Sequence, residues 1–113
     1  MESADTTPRG TSSSSHETRQ EKMIRFRLYI ARSTPNSVRA ERNLLTVLDE
    51  LKRSLVYSEL EIVDVFAQPK RALVDGVVVT PSLLVLWSDK RVVLLGDLGD
   101  RSELIAVIQS IPV

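Results

Sequence analysis

Residues 26–40 read FRLYIARSTPNSVRA, an apolar alternating run that meets a proline-containing turn and then a helix-like stretch. The run reaches back to Met23. Over Met23–Ala31, Ile24, Phe26, Leu28 and Ile30 fall on one face and Arg25, Arg27 and Tyr29 on the other, the period of a half-buried strand. Tyr29 reads as an exposed strand aromatic. Thr34 then offers a hydroxyl N-cap, and Pro35 stands at the first helical position, where its missing N–H is not needed. Val38, Leu44, Leu45, Leu48, Leu51 and Leu55 follow at three- and four-residue spacing, with Arg39, Arg42, Asp49, Glu50 and Arg53 on the other side. The spacing predicts an amphipathic helix of about five turns.

Working outward, Leu60–Phe66 (LEIVDVF) is β-rich and is ended by Gln68-Pro69. The long helix before it makes it parallel to the first strand. Residues 69–74 form a short helix, with Gly76 as its stop signal. Ser82–Trp87 and Arg91–Leu95 are β-prone runs joined by Ser88-Asp89-Lys90, which predicts a hairpin. Pro81 precedes the first of them, where a missing N–H costs no ladder bond. Asp100 and Glu103 match a capping box, and Leu104, Ile105, Val107, Ile108 and Ile111 keep helical spacing behind it. The sum is α/β, in the order βαβαββα: a mixed central sheet flanked by helices, which is the thioredoxin-like arrangement. TPSLLVLWSDKRVVLLG (80–96) also resembles the thioredoxin stretch in which a cis-proline precedes a strand and hairpin. That resemblance implies a cis Pro81 facing the strand–helix turn at 31–35.

Composition removes most chemistry. At 113 residues the chain holds one small domain. Fifteen basic and fifteen acidic residues leave no net charge, which speaks against nucleic acid as a partner. No apolar run approaches a membrane span, and no apolar leader is visible, so no membrane partner and a cytoplasmic location are expected. Residues 1–21, rich in Ser, Thr and charge, are expected to be a disordered N-terminal tail, and 22–113 the folded domain. Without cysteine there is no thiolate nucleophile, disulfide or thiolate metal ligand, and the single histidine, His16, lies in the tail. A disulfide reductase is therefore excluded. A glutathione-binding domain could use Ser33, Ser37 or Tyr29 by position, but Ser37 as a first-turn helix residue and Tyr29 as a strand aromatic is the stronger reading. Neither a phosphate loop nor a pair of carboxylates placed across a pocket is apparent, so no enzyme activity and no cofactor or metal are expected.

LYIA (28–31), TPNSVRA (34–40), IVDV (62–65), Pro69, TPSL (80–83) and GDLGDR (96–101) occur in an order that resembles the circadian-clock KaiB family. The resemblance covers nearly all of 23–111. It implies a non-catalytic interaction module that binds a KaiC-type ATPase in clock or stress/signalling regulation. It also implies a homo-oligomer, dimer or tetramer, and a switch between the thioredoxin-like form and an alternative ground-state fold. Arg39, matching the arginine of the family's SVRA, is the first candidate for a partner contact. Gln68, Lys70, Lys90 and Arg91 complete the candidate partner-binding set, and Thr34, Pro35, Pro81, Gly96 and Asp97 the structural set. A stand-alone sensor domain related to KaiC-binding histidine kinases is a second non-enzymatic alternative beside the glutathione one. The chain departs from clock-type members at SDKR (88–91), where they carry a proline-rich stretch, and at Ala67, where they carry lysine. The hairpin and capping signals predict that it rests in the thioredoxin-like form.

Overall fold

The computed structural model describes residues 23–55 and 57–111; the N-terminal tail expected at 1–21 lies outside them. Alternation in the first run forms β1 (Ile24–Ile30), and the proline turn opens α1 (Pro35–Glu50). Then follow β2 (Ser58–Asp64), α2 (Pro69–Val74), β3 (Ser82–Trp87), β4 (Lys90–Leu95) and α3 (Arg101–Gln109). The sheet order is β2-β1-β3-β4, with β1 parallel to β2 and antiparallel to β3, and β4 antiparallel to β3. The βαβαββα order and the mixed sheet are those expected.

Each face of the sheet has its own core. Ile24, Phe26, Leu28 and Ile30 pack with Ala40, Leu44 and Val47 of α1 and Leu104 and Ile108 of α3. Burying each of these large side chains contributes about 1.5–3 kcal/mol. On the opposite face Tyr29, Val63, Ala72 and Leu84 form a smaller cluster beneath α2. The last helix is capped as its sequence predicts: the Asp100 carboxylate accepts the Glu103 N–H at 3.1 Å. Gly76, at φ +72°, closes α2 and donates its N–H to the Leu73 carbonyl.

Several local expectations are corrected. Tyr29 is fully buried. Val38 and Leu45, assigned to the apolar stripe of α1, are exposed, because α1 turns Ser37, Ala40, Leu44 and Val47 toward the sheet. The helix ends at Glu50 instead of near Leu55. Its apolar spacing persists because the i→i+3 turns Ser54 to Leu51 and Leu55 to Lys52 carry Leu55 into the core. The second strand lies two residues earlier than Leu60–Phe66. Its parallel register starts at Ile24↔Ser58 and ends at Ile30↔Asp64, where β1 stops. The propensity of Val65 and Phe66 cannot extend a ladder whose neighbour has ended. Lys90 belongs to β4, paired with Trp87, so the hairpin connection shortens to Ser88-Asp89.

Candidate docking rim

Parallel β1 and β2 end where antiparallel β3 begins and β4 finishes. One end of the sheet therefore gathers the turns 31–35, 65–68, 77–81 and 96–100. The first turn is tied to its own strand. Thr34 donates both its N–H (3.1 Å) and its hydroxyl (2.8 Å) to the Ala31 carbonyl, while the buried Ser37 Oγ accepts the Ala31 N–H at 3.0 Å. Thr34 occupies the N-cap position with extended backbone but makes no side-chain cap. The expected hydroxyl cap is absent; the hydroxyl donates to the Ala31 carbonyl, and no helix N–H reaches its oxygen. Pro35 opens the helix as predicted.

Across the rim, the Thr80–Pro81 peptide is cis and Pro81 is buried, as the thioredoxin resemblance implies. Gly96, at φ +95°, turns the chain out of β4, and its N–H bonds the Pro81 carbonyl at 3.0 Å. The turn then docks on α1. Asn43 Nδ2 donates to the Asp97 carbonyl at 2.8 Å, and Arg39 Nε donates to Asp97 Oδ2 at 3.2 Å. Arg39 also reaches Asn36 Oδ1. With half of its side chain exposed, Arg39 sits at the rim already held by Asp97. Thr34, Pro35, Pro81, Gly96, Asp97 and Arg39 are thus brought together. Gln68, exposed, stands at the N-cap position of α2 without a side-chain cap bond, and Lys70 is exposed one residue past Pro69. Lys90 and Arg91 are not part of this rim: they start β4 at the opposite end of the sheet, and Arg91 reaches over to the Asp75 carbonyl.

The rim also holds exposed apolar side chains that residue-by-residue reading missed: Phe66 (76% exposed), Val78 (90%) and Val79 (47%). Beside Phe66, Asp64 Oδ1 accepts the Phe66 N–H at 3.0 Å and Oδ2 accepts Arg32 Nε at 3.2 Å. The Phe66 bond first, then Arg32, holds the Asp64 carboxyl below its ordinary range.

A second polar cluster joins α2 to the sheet face under it. Arg27 Nη1 donates to Asp75 Oδ2 at 2.8 Å, and the Tyr29 hydroxyl lies 2.5 Å from the same oxygen and 3.1 Å from the Arg71 carbonyl. Arg71 grips both oxygens of Glu61, one at 2.7 Å, and Arg27 Nε reaches Glu61 at 3.2 Å. Hydrogen bonding to Arg71 is the main reason the Glu61 carboxyl sits at about 2. Burial would raise the Asp75 carboxyl, but the bonds from Tyr29 and Arg27 outweigh it and hold it low. Burial, reinforced by Asp75, pushes the Tyr29 hydroxyl up. The alternation of Arg27 and Tyr29, with Arg71 and Asp75 four residues apart downstream, carried this cluster in the sequence, but only the docking of α2 joins the halves.

These positions limit the chemistry. Ser37 and Tyr29, two of the three glutathione candidates, are buried and engaged with protein partners; only Ser33 faces solvent. Among the described residues no three His, Asp or Glu side chains gather into a metal site, and no helix is long and apolar enough to cross a membrane. Where a thioredoxin-type chain carries its two redox cysteines, this rim carries Thr34, Pro35, Asn36 and Ser37. What it offers is shape, the guanidinium groups of Arg32 and Arg39, and apolar side chains.

A sheet of this order with a cis-proline facing the first strand–helix turn defines a thioredoxin-fold protein. The thioredoxin of Fasciola hepatica matches with a TM-score of 0.66 at 14% identity, over 89% of this chain and 94% of its own. Deadhead, the germline-specific thioredoxin of Drosophila melanogaster, matches at 0.66 and 12% identity, over 89% and 91%. At such identities the likeness is one of fold alone. The chain belongs to the KaiB family: residues 27–110 match the family model described as the KaiB domain. The circadian clock oscillator protein KaiB of Gloeothece citriformis is 37% identical over 80 residues, 71% of this chain and 74% of that protein. KaiB of Rippkaea orientalis is 38% identical over 81 residues, 71% of this chain and 75% of that protein.

Proposed function

We propose that this chain is a non-catalytic regulator that docks, through the rim around Arg39, on a KaiC-type ring ATPase. The observation that carries the reading is the half-exposed Arg39 guanidinium, positioned by Asp97 and Asn36 at the TPNSVRA junction. A guanidinium fork held in place suits a partner carboxylate better than a free lysine would, since less freedom is lost on contact. Phe66, Val78 and Val79 supply exposed apolar area at the same end of the sheet, in keeping with the composition of an interface. Gln68 and Lys70 lie at the same end of the sheet and serve the contact, whereas Lys90 and Arg91 start β4 at the opposite end. In this reading the protein works in the cytoplasm without cofactor, metal, nucleic acid or membrane.

The test is binding of the purified chain to the KaiC-type ATPase of its own organism, followed by calorimetry. Arg39→Ala removes one charge-assisted contact and is expected to cost about 1.5–3 kcal/mol, more than tenfold in affinity. Arg39→Glu weakens binding further, and Phe66→Ala weakens it through lost apolar burial. Undiminished affinity in both Arg39 variants, with circular dichroism unaltered, refutes the role given to Arg39. Failure of the unmodified chain to bind refutes the function.

A further inference from the structure

Two turns at the rim are built alike. Asp97 Oδ1 accepts the Gly99 N–H at 2.9 Å, and its Oδ2 accepts Arg39 Nε at 3.2 Å. Asp64 Oδ1 accepts the Phe66 N–H at 3.0 Å, and its Oδ2 accepts Arg32 Nε at 3.2 Å. In each, an aspartate closes a turn on the backbone two residues ahead with one oxygen and holds a guanidinium with the other. The holding bond runs through Nε, so the terminal nitrogens of each arginine remain for other acceptors. Arg32 and Arg39 flank the Thr34–Pro35 turn in the chain.

The two arginines differ in what they have left to donate. Arg39 commits one terminal nitrogen to Asn36 and is half exposed. Arg32 is 72% exposed, and among the described residues neither of its terminal nitrogens makes a hydrogen bond. Its fork is the more open of the two. The turn that carries it is also fixed: Ser33 takes a left-handed backbone at φ +75°, closed by the two bonds from Thr34 to the Ala31 carbonyl. Asp64 is largely buried and stands at the end of β2, paired with Ile30. A long surface side chain loses rotamer freedom on contact, and the Asp64 carboxylate has already removed part of that cost. The same carboxylate fixes the backbone of the exposed Phe66. One group thus organises an arginine and an aromatic, residue types that concentrate at interfaces.

We propose that Arg32 is a second docking arginine, acting together with Arg39, and that the partner surface presents one carboxylate to each guanidinium. The inference rests on the docking reading given above and adds to it a residue and the partner's chemistry. The end-on fork of Arg32, Nη1 with Nη2, can take both oxygens of a carboxylate. A phosphate dianion fits less well, because Asp64 and Asp97 each lie against one of the guanidinium groups and repel a doubly charged group more than a singly charged one. Asp64 touches no partner in this arrangement; it positions Arg32. Arg32 then sets specificity as well, since a partner that satisfies Arg39 alone leaves the second fork without an acceptor.

The test is calorimetry of the full 113-residue chain with the KaiC-type ring ATPase of its own organism. Arg32→Ala should weaken binding about tenfold or more. Arg32→Lys keeps the charge without the planar fork and should recover only part of that loss. Asp64→Asn keeps an acceptor for the Phe66 N–H but removes the carboxylate that holds Arg32. It should weaken binding about three- to tenfold in the unmodified chain and have no further effect once Arg32 is alanine. Added salt should weaken the unmodified chain more steeply than Arg32→Ala. Arg53→Ala, exposed beyond the far end of α1, should leave affinity unchanged. If Arg39→Ala weakens binding while a natively folded Arg32→Ala binds as tightly as the unmodified chain, this proposal falls and the docking reading stands. Full recovery in Arg32→Lys overturns the fork, and an Asp64→Asn effect that persists without Arg32 overturns the positioning role. An unmodified chain that does not bind overturns both the docking reading and this proposal.

Discussion

Replacing Tyr29 by Phe isolates the hydroxyl that links β1 to α2. The ring remains, and with it the apolar burial at the centre of the smaller core. What disappears is one O–H donor between Asp75 Oδ2 at 2.5 Å and the Arg71 carbonyl at 3.1 Å. Asp75 keeps its bond from Arg27 Nη1 at 2.8 Å, so no carboxylate is left unpaired. The loss is therefore one hydrogen bond to a charged acceptor, about 1.5–2 kcal/mol. In a domain of this size that lowers the melting midpoint by on the order of 10 °C. Urea unfolding should show a lower midpoint with an unchanged slope, because the surface exposed on unfolding is the same. Tyr57→Phe, at an exposed position, is the control and should change nothing. Combining Tyr29→Phe with Asp75→Asn should cost less than the sum of the single changes by about 1 kcal/mol. A Tyr29→Phe midpoint equal to that of the unmodified protein, or strict additivity with Asp75→Asn, would falsify the assignment of this hydroxyl as the pin of α2.

Three further outcomes follow from the same geometry. Glu61 titrates at about 2 in the folded chain against an ordinary 4.5, so its contribution to stability is complete above 4.5 and is lost as pH falls toward 2. Urea midpoints between pH 5 and pH 2 should fall less steeply for Glu61→Gln, and an identical slope would contradict the Arg71–Glu61 pairing. Ser37→Ala strands the buried Ala31 N–H and should cost about 1–3 kcal/mol, whereas Thr46→Ala, on an exposed stretch of α1, should cost little; equal effects in chemical denaturation would argue against the Ser37 bond. Gly96→Ala meets no atom within 4 Å, so its expected cost of about 1–2 kcal/mol is that of placing a side chain at φ +95°. A neutral Gly96→Ala would mean that the turn relaxes, and binding through Arg39 measured on the same variant would then reveal whether Asp97 had moved.

The sequence by itself determined the order of the elements, because each signal is local. Alternation in β1, the proline at the start of α1, the Asp100–Glu103 cap and the hairpin runs all act within a few residues, and the structure keeps each of them. The lack of cysteine was equally decisive for the chemistry. Tertiary structure decided what local patterns leave open. Alternation divided β1 into two faces but could not say that α2 would cover Tyr29. Propensity favoured a strand through Phe66, yet β2 ends at Asp64 because a parallel ladder cannot outrun its neighbour. Helical spacing assigned Val38 and Leu45 to the core, but one helix face meets the sheet along Ser37, Ala40, Leu44 and Val47, and the two aliphatics fall outside that contact. Arg39 was legible as a surface arginine, while its bond to Asp97 joins residues 58 positions apart and exists only because Gly96 turns β4 back onto α1. Lys90 and Arg91 were grouped with Arg39 in the sequence, and the antiparallel run of β4 puts them at the other end of the sheet. Contacts between distant segments depend on how faces stack, and a one-dimensional pattern does not contain that information.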